Sequence, residues 1–161
     1  PMMQPVVHLD DGGVVDQILA LEQSGFDQGW SRQAWAEELT ADDRYVLVNR
    51  DVDDQVDGVA TFQTSGDFAD LLRVVVAPQR RGQGVARRLM RAGIQWAQAT
   101  GAHRMLLEVE ETNAVAHRLY EQFGFEPIDR RLNYYGHDRH AMVMELELTG
   151  SWFDTPVEAV S

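Results

Sequence analysis

Two glycines, a cluster of arginines, one carboxylate and one phenol are the residues whose types and spacing could do chemistry. Gly82 and Gly84, with the small Ala86 after them, sit where an apolar run over 71–77 gives way to a helix. Glycines at such a point let backbone N–H groups approach a bulky anion, and the helix beginning there adds its partial positive charge. Arg80, Arg81, Arg87 and Arg88 flank the turn. Arginines in a first helical turn oppose the helix dipole, so their placement points to phosphate close by. A plain tight turn is the alternative for the glycines alone. No Gly-Lys-Ser/Thr follows, which excludes a Walker loop. Gly-x-Gly-x-Ala lies mid-chain without the acidic residue that a dinucleotide fingerprint needs. Further on, Glu108 is a carboxylate among apolar neighbours over 104–109. Partial burial tunes such a group toward base chemistry, and pairing with a nearby arginine is the alternative reading. Tyr120 lies mid-helix with Ala116 and Phe123 on its side. It reads either as a proton donor or as a core tyrosine.

Elements that would position these groups are legible along the chain. Residues 6–9 read as a short first strand. Val14, Val15, Ile18, Leu19 and Leu21 repeat at helical spacing, and that helix stops near Ser24-Gly25. A loop over 26–30 follows, and Ser31 is a good N-cap for a second helix running to about Leu39. Trp30 and Trp35 read as packing residues, with a substrate-facing loop as the second possibility. Strands over 45–48 and 56–64, with an acidic turn between them, read as a hairpin. The run over 70–77 is almost continuously apolar, as a central strand buried on both faces would be. After the central helix come the strand over 104–109 and a last helix, capped by Asn113 and ended by Gly124. Two final strands over 125–134 and 141–148 enclose a loop over 135–140, and residues 150–161 read as a tail. With no repeat and no linker, the chain is expected to form one α/β domain, a mostly antiparallel mixed sheet flanked by helices.

Composition narrows the classes. The chain has 161 residues, enough for one domain with a real core. Its net charge of −12 argues against wrapping nucleic acid and is compatible with basic peptides or cationic amines. Taken alone, the charge is better explained as a solubilising surface. No apolar run is long enough for a membrane span and no signal-peptide pattern is present, so no membrane role and a cytoplasmic location are expected. All 14 basic residues are arginine. The absence of cysteine leaves no thiol nucleophile and no disulfide framework. His137 and His140 share one loop but lack a third ligand, so no metal is expected.

In combination, these motifs resemble the GNAT family of N-acetyltransferases. Arg81-x-x-Gly84-x-Ala86 after Val-Ala-Pro is similar to its acetyl-CoA motif. Leu107-Glu108-Val109, then Asn113, then Leu119-Tyr120-Glu121-Gln122-Phe123-Gly124-Phe125 look like the rest of the core. The likeness runs on through Arg131-Leu132-Asn133-Tyr134-Tyr135 and Ala141-Met142-Val143-Met144. Those segments, with Trp30-Ser31, are similar to the RimI-like branch, the ribosomal-protein alanine N-acetyltransferases. The resemblance covers about residues 14–148. It departs from that branch at Gly29, in place of proline, and at Arg139-His140, in place of an acidic pair. Both departures fall at the expected substrate rim.

What the resemblance implies can be stated residue by residue. The strand backbone at Val74, Val75 and Val76 would hold the pantetheine of acetyl-CoA. Arg81, Gly82, Gln83, Gly84, Val85, Ala86 and Arg87 would cradle its diphosphate, and Asn113 would bind the cofactor arm. Glu108 would be the general base and Tyr120 the general acid. Trp30, Tyr134 and Tyr135 would meet the substrate, the tyrosine pair as a flat aromatic clamp suited to a peptide N-terminus. The partner implied is a protein or peptide N-terminus, a ribosomal protein in particular. Elementary chemistry agrees with these roles. An α-amine has a pKa near ~8, so part of it is charged at neutral pH and a base must take its proton. Without a thiol, the amine would attack the thioester directly in a ternary complex, with proximity supplying much of the rate. A backbone N–H near Val75 or Val76 would polarise the carbonyl. Two rival readings are acetylation of a small-molecule amine and a non-catalytic acyl-CoA-binding module.

Overall fold

The computed structural model describes residues 2–5, 13–25 and 29–148. The described residues pack as two compact units, those within 1–63 and 71–95 in one and those within 64–70 and 96–148 in the other.

In the first unit, β1 (Met2–Pro5) pairs antiparallel with β2 (Arg44–Arg50), and β2 pairs antiparallel with β3 (Val56–Ser65). The strand expected at residues 6–9 lies outside the described residues. The β2–β3 hairpin closes on Asp51, whose carboxylate accepts the N–H groups of Asp53 and Gln55 at 2.9 and 3.0 Å. Helix α1 (Val14–Gly25) buries Val14, Val15, Ile18 and Leu21, the stripe its spacing dictates. Helix α2 (Arg32–Thr40) starts on Ser31, whose hydroxyl accepts the Ala34 N–H at 3.1 Å. Trp35 from α2 joins Val46, Val48, Val59, Val75 and Ala77 in one core.

Strand β4 (Phe68–Val76) corrects the sequence expectation. Ala69, Leu71 and Val75 are buried, whereas Asp70, Leu72, Val74 and Val76 are part-exposed. The run is apolar, yet only one face is packed to core density. Helix α3 (Val85–Ala99) follows. Its Gly93 lies against the Phe62 ring, and a Cβ there would stand 2.0 Å from Cζ, so only glycine lets helix and strand approach so closely.

In the second unit, the start of β4 pairs parallel with β5 (Arg104–Glu110). A parallel pair needs a crossover, which α3 supplies. The β4–β5 ladder covers only Phe68 to Asp70, so Val74–Val76 fall outside it. β7 (Arg139–Glu147) pairs antiparallel with β5 along its length and with β6 (Glu126–Gly136) on its other side. Helix α4 (Ala114–Gln122) is capped by Asn113, whose side-chain oxygen accepts the Ala116 N–H at 3.1 Å. Gly124 follows the helix with φ +97°. The expected loop over 135–140 is instead a two-residue turn, because β6 and β7 continue through Gly136 and Arg139. No helix of the described residues is long and apolar enough to cross a membrane.

Candidate active site

The glycine turn is built as its residue types demand. Gly82 and Gly84 have φ of +78° and +84°, conformations that side-chain-bearing residues avoid. The first intrahelical bond runs from the Arg88 N–H to the Gly84 carbonyl at 3.0 Å, so the N–H groups of the first turn of α3 lie just after the glycines. No atom lies within 4 Å of where a Gly82 Cβ would stand. Arg81, Gln83 and Arg87 are exposed, Ala86 is half-buried, and Val85 is buried as the residue that anchors the helix. The arginines divide in purpose. Arg80 turns inward and donates to Asp57 at 2.9 Å, and Asp57 also accepts from Asn49 at 2.7 Å. Asp57 is 3% exposed, and its carbonyl accepts the Ala77 N–H at 2.9 Å. Arg80 is therefore the tether of the turn and not a cation offered to an anion. Sequence reasoning missed Asp57, a lone acid entering an apolar strand beside an acidic turn.

The second cluster grows from β5. Met105, Leu107 and Val109 point into the core, so Leu106, Glu108 and Glu110 share the opposite face. Glu108 is 28% exposed and stands 3.2 Å from Arg131 of β6, so the arginine-partner reading holds as geometry. Interaction with the Glu108 carboxylate, and then partial burial, pushes the pKa of the Tyr134 phenol up. Tyr135 is pushed up to about 12, first by burial, then by the charge of Glu108, the neighbouring Tyr134 phenol and the charge of Glu110. Tyr120, 7% exposed on α4, is raised further, by burial and then by Tyr135. Its ring meets Phe125 edge-on at 5.9 Å. A carboxylate and three phenols that stay protonated at neutral pH thus form one electrostatically linked group.

Comparison with known proteins identifies this combination. The family model for the acetyltransferase (GNAT) family matches residues 15–125. The chain belongs to the GNAT acetyltransferase family. A curated relative, the ribosomal protein bS18-alanine N-acetyltransferase of Haemophilus ducreyi, is 30% identical over 91% of this chain and all of its own length. The crystal structure of the Escherichia coli ribosomal-protein-S18-alanine N-acetyltransferase superposes with a TM-score of 0.79 at 24% identity, over 93% of this chain and 96% of that one. An aminoglycoside 6'-N-acetyltransferase complexed with coenzyme A superposes equally well, with a TM-score of 0.79 at 16% identity, over 93% and 98% of the two chains. A GNAT fold therefore does not by itself choose the acceptor. The family match ends at residue 125, before the β6–β7 hairpin that carries Tyr134 and Tyr135.

Several rim expectations change within this GNAT chain. Tyr134 and Tyr135 meet edge to face, with centroids 5.0 Å apart and an interplanar angle of 89°, so they are not a flat clamp. They are consecutive strand residues, which point to opposite sides unless the strand is deformed. Trp30 is part-buried against the first unit's core, 5.0 Å from Trp35, with the Arg73 guanidinium 5.1 Å over its ring. The Asn113 oxygen is committed to its helix cap, which leaves the amide N–H₂ as the group able to meet a cofactor. Arg139, at the position of the acidic pair, grips Glu110 through two hydrogen bonds at 2.7 and 2.9 Å and holds that carboxyl below its ordinary range. His137 is 95% exposed, and the His140 ring nitrogen Nδ1 accepts the Asn133 N–H. Among the described residues, no cluster of three His, Cys, Asp or Glu side chains is arranged to hold a metal.

Proposed function

We propose that the protein transfers the acetyl group of acetyl-CoA to the N-terminal α-amine of a protein, ribosomal-protein alanine being the first candidate. The observation that carries this reading is the linked group of Glu108, Tyr134, Tyr135 and Tyr120. It supplies a carboxylate able to receive a proton and a protonated phenol able to give one. The end-to-end likeness to a ribosomal protein bS18-alanine N-acetyltransferase supports the acceptor.

The residues would act as follows. Val74–Val76, outside the β4–β5 ladder, have extended backbone able to bond the pantetheine amides. The turn from Arg81 to Arg87 offers helix N-terminal N–H groups to the diphosphate, with the exposed residues Arg81 and Arg87 at its two ends. Asn113 contributes its amide N–H₂ to the cofactor arm. The neutral amine attacks the thioester carbon, the C–N bond forms, and a backbone N–H near Val75 or Val76 steadies the carbonyl oxygen. Glu108 takes the amine proton through water, the C–S bond breaks, and Tyr120 supplies hydrogen to the leaving thiolate. The products are the N-acetyl peptide and free coenzyme A.

Tyr135 tests the acceptor side. Tyr135 is 37% exposed, so Tyr135→Ala leaves the core in place. Loss of an aromatic contact with the peptide should raise KM for an alanine-initiated peptide about tenfold, with KM for acetyl-CoA unchanged. Steady-state kinetics with each substrate varied in turn checks this. Equal rises in both constants would remove Tyr135 from the peptide slot, and faster turnover of an aminoglycoside than of any peptide would overturn the acceptor class.

A further inference from the structure

We propose that His140 is a positioning residue for the acceptor, holding as a hydrogen-bond acceptor the backbone bulge that sets Tyr134 and Tyr135. This proposal rests on the peptide-acceptor reading above. The β6–β7 ladder shifts register once between Pro127 and Asp129, runs in register from Asp129↔Val143 to Arg131↔Ala141, and resumes after that only at Gly136↔Arg139. Four residues of β6, Leu132 to Tyr135, are thereby out of register, and the bulge is what re-aims the two consecutive tyrosines. Asn133 sits inside it at φ +55°, a backbone state that costs energy in a non-glycine residue and persists only when its surroundings fix it.

Two hydrogen bonds fix it here. The Asn133 N–H donates to His140 Nδ1 at 2.9 Å, and the Asn133 side-chain oxygen accepts the Asp138 N–H at 2.9 Å. His140 is itself anchored, since its carbonyl accepts the Glu111 N–H at 2.9 Å, tying the hairpin to the end of β5. Its side chain is only 18% exposed, although the neighbouring strand faces solvent. The ring therefore acts as a bracket between β7 and the bulge, one residue before Tyr134. The chain's departure from an acidic pair at this place has a purpose. An acid at position 140 would bring a negative charge, whereas a neutral imidazole brings an acceptor without one.

The bracket has a protonation requirement. Nδ1 accepts only while the ring is neutral, because an imidazolium carries hydrogen on both nitrogens. The charged and titratable groups around the ring come from the turn, the end of β5, α4 and β6. Asp138 Oδ1 in the turn is 3.8 Å from Nε2. Glu111, after β5, interacts electrostatically with both His140 and His117 of α4, and is held by Arg130 of β6. Protonation would eject the Asn133 N–H from its partner and release the bulge.

The test uses two substitutions and two readouts. His140→Ala removes the acceptor. His140→Asn places an amide oxygen at the same δ position and cannot become protonated. At neutral pH, His140→Ala should raise KM for an alanine-initiated peptide roughly tenfold. His140→Asn should stay near wild type, and kcat and KM for acetyl-CoA should hold in both. Amide exchange of Asn133, followed by NMR without any substrate, should be slow in wild type and His140→Asn and fast in His140→Ala. A peptide KM unmoved in His140→Ala, or one raised as much in His140→Asn, would overturn the positioning role. Fast Asn133 exchange in wild type would overturn the bracket itself. If no peptide is acetylated while Asn133 stays protected, the acceptor reading fails and the bracket stands.

Discussion

Tyr120→Phe should lower kcat by about 10²–10⁴, the range for losing a general acid, while folding and acetyl-CoA binding survive. The substitution keeps the ring that packs on Phe125 and removes only the hydroxyl. Because burial and Tyr135 hold that phenol above its ordinary range, wild type keeps the donor protonated through mildly alkaline pH, and the mutant's defect should persist there. Glu108→Gln should also lower kcat, but its loss should shrink as pH rises and more of the amine is already deprotonated. Removing that charge leaves Arg131 unpaired at little cost, since its side chain is 53% exposed. The same Tyr120 carries a stability signature. A folded-state pKa raised above the unfolded value contributes stability that is complete below about pH 10 and is lost as pH climbs beyond it, at up to ~1.4 kcal/mol per pH unit. Tyr120→Phe should remove that share of the alkaline loss. kcat against pH, with thermal melts alongside, separates chemistry from packing. Normal turnover in Tyr120→Phe would cancel the acid, and a pH-independent defect in Glu108→Gln would cancel the base.

The second large effect concerns the turn. Acetyl-CoA at about 100 times its Kd should stabilise wild type by ~2.7 kcal/mol, visible as a rise in Tm. Gly84→Asp should abolish that rise and raise KM for acetyl-CoA about a hundredfold or more. Aspartate tolerates positive φ better than most residues, and its Cβ would meet only Arg88 Nη1 at 3.4 Å, so the fold should hold. What it adds is a carboxylate where a diphosphate is expected. An undiminished Tm shift would mean that the diphosphate lies elsewhere.

Local signals carried most of the fold. The caps at Ser31 and Asn113, and the glycine after α4, follow from residue type and spacing, and each element from α1 to β7 stands within a few residues of its expected place. The failures share a cause. Apolar composition predicted a doubly buried β4, because a hydrophobic run does not say how many faces are covered. Longer β6 and β7, the edge-to-face tyrosines, the grip of Arg139 on Glu110 and the His140 bracket all depend on cross-strand register, which one sequence does not print. Asp57 and Arg80 are 23 residues apart and meet only because β3 passes the turn before α3. At the site, the carboxylate, the buried phenol and the glycines could be picked out by type, while their supporting contacts could not.

One measurement bears most directly on the acceptor and the chemistry together. An alanine-initiated peptide with an internal lysine is incubated with acetyl-CoA and the protein, and the acetyl group is located by tandem mass spectrometry. The α-nitrogen alone should carry it, and Tyr120→Phe should leave the peptide essentially unmodified over the same time. Acetyl on the lysine side chain, or an untouched peptide beside a rapidly acetylated small amine, would contradict N-terminal acetylation as the function of this chain.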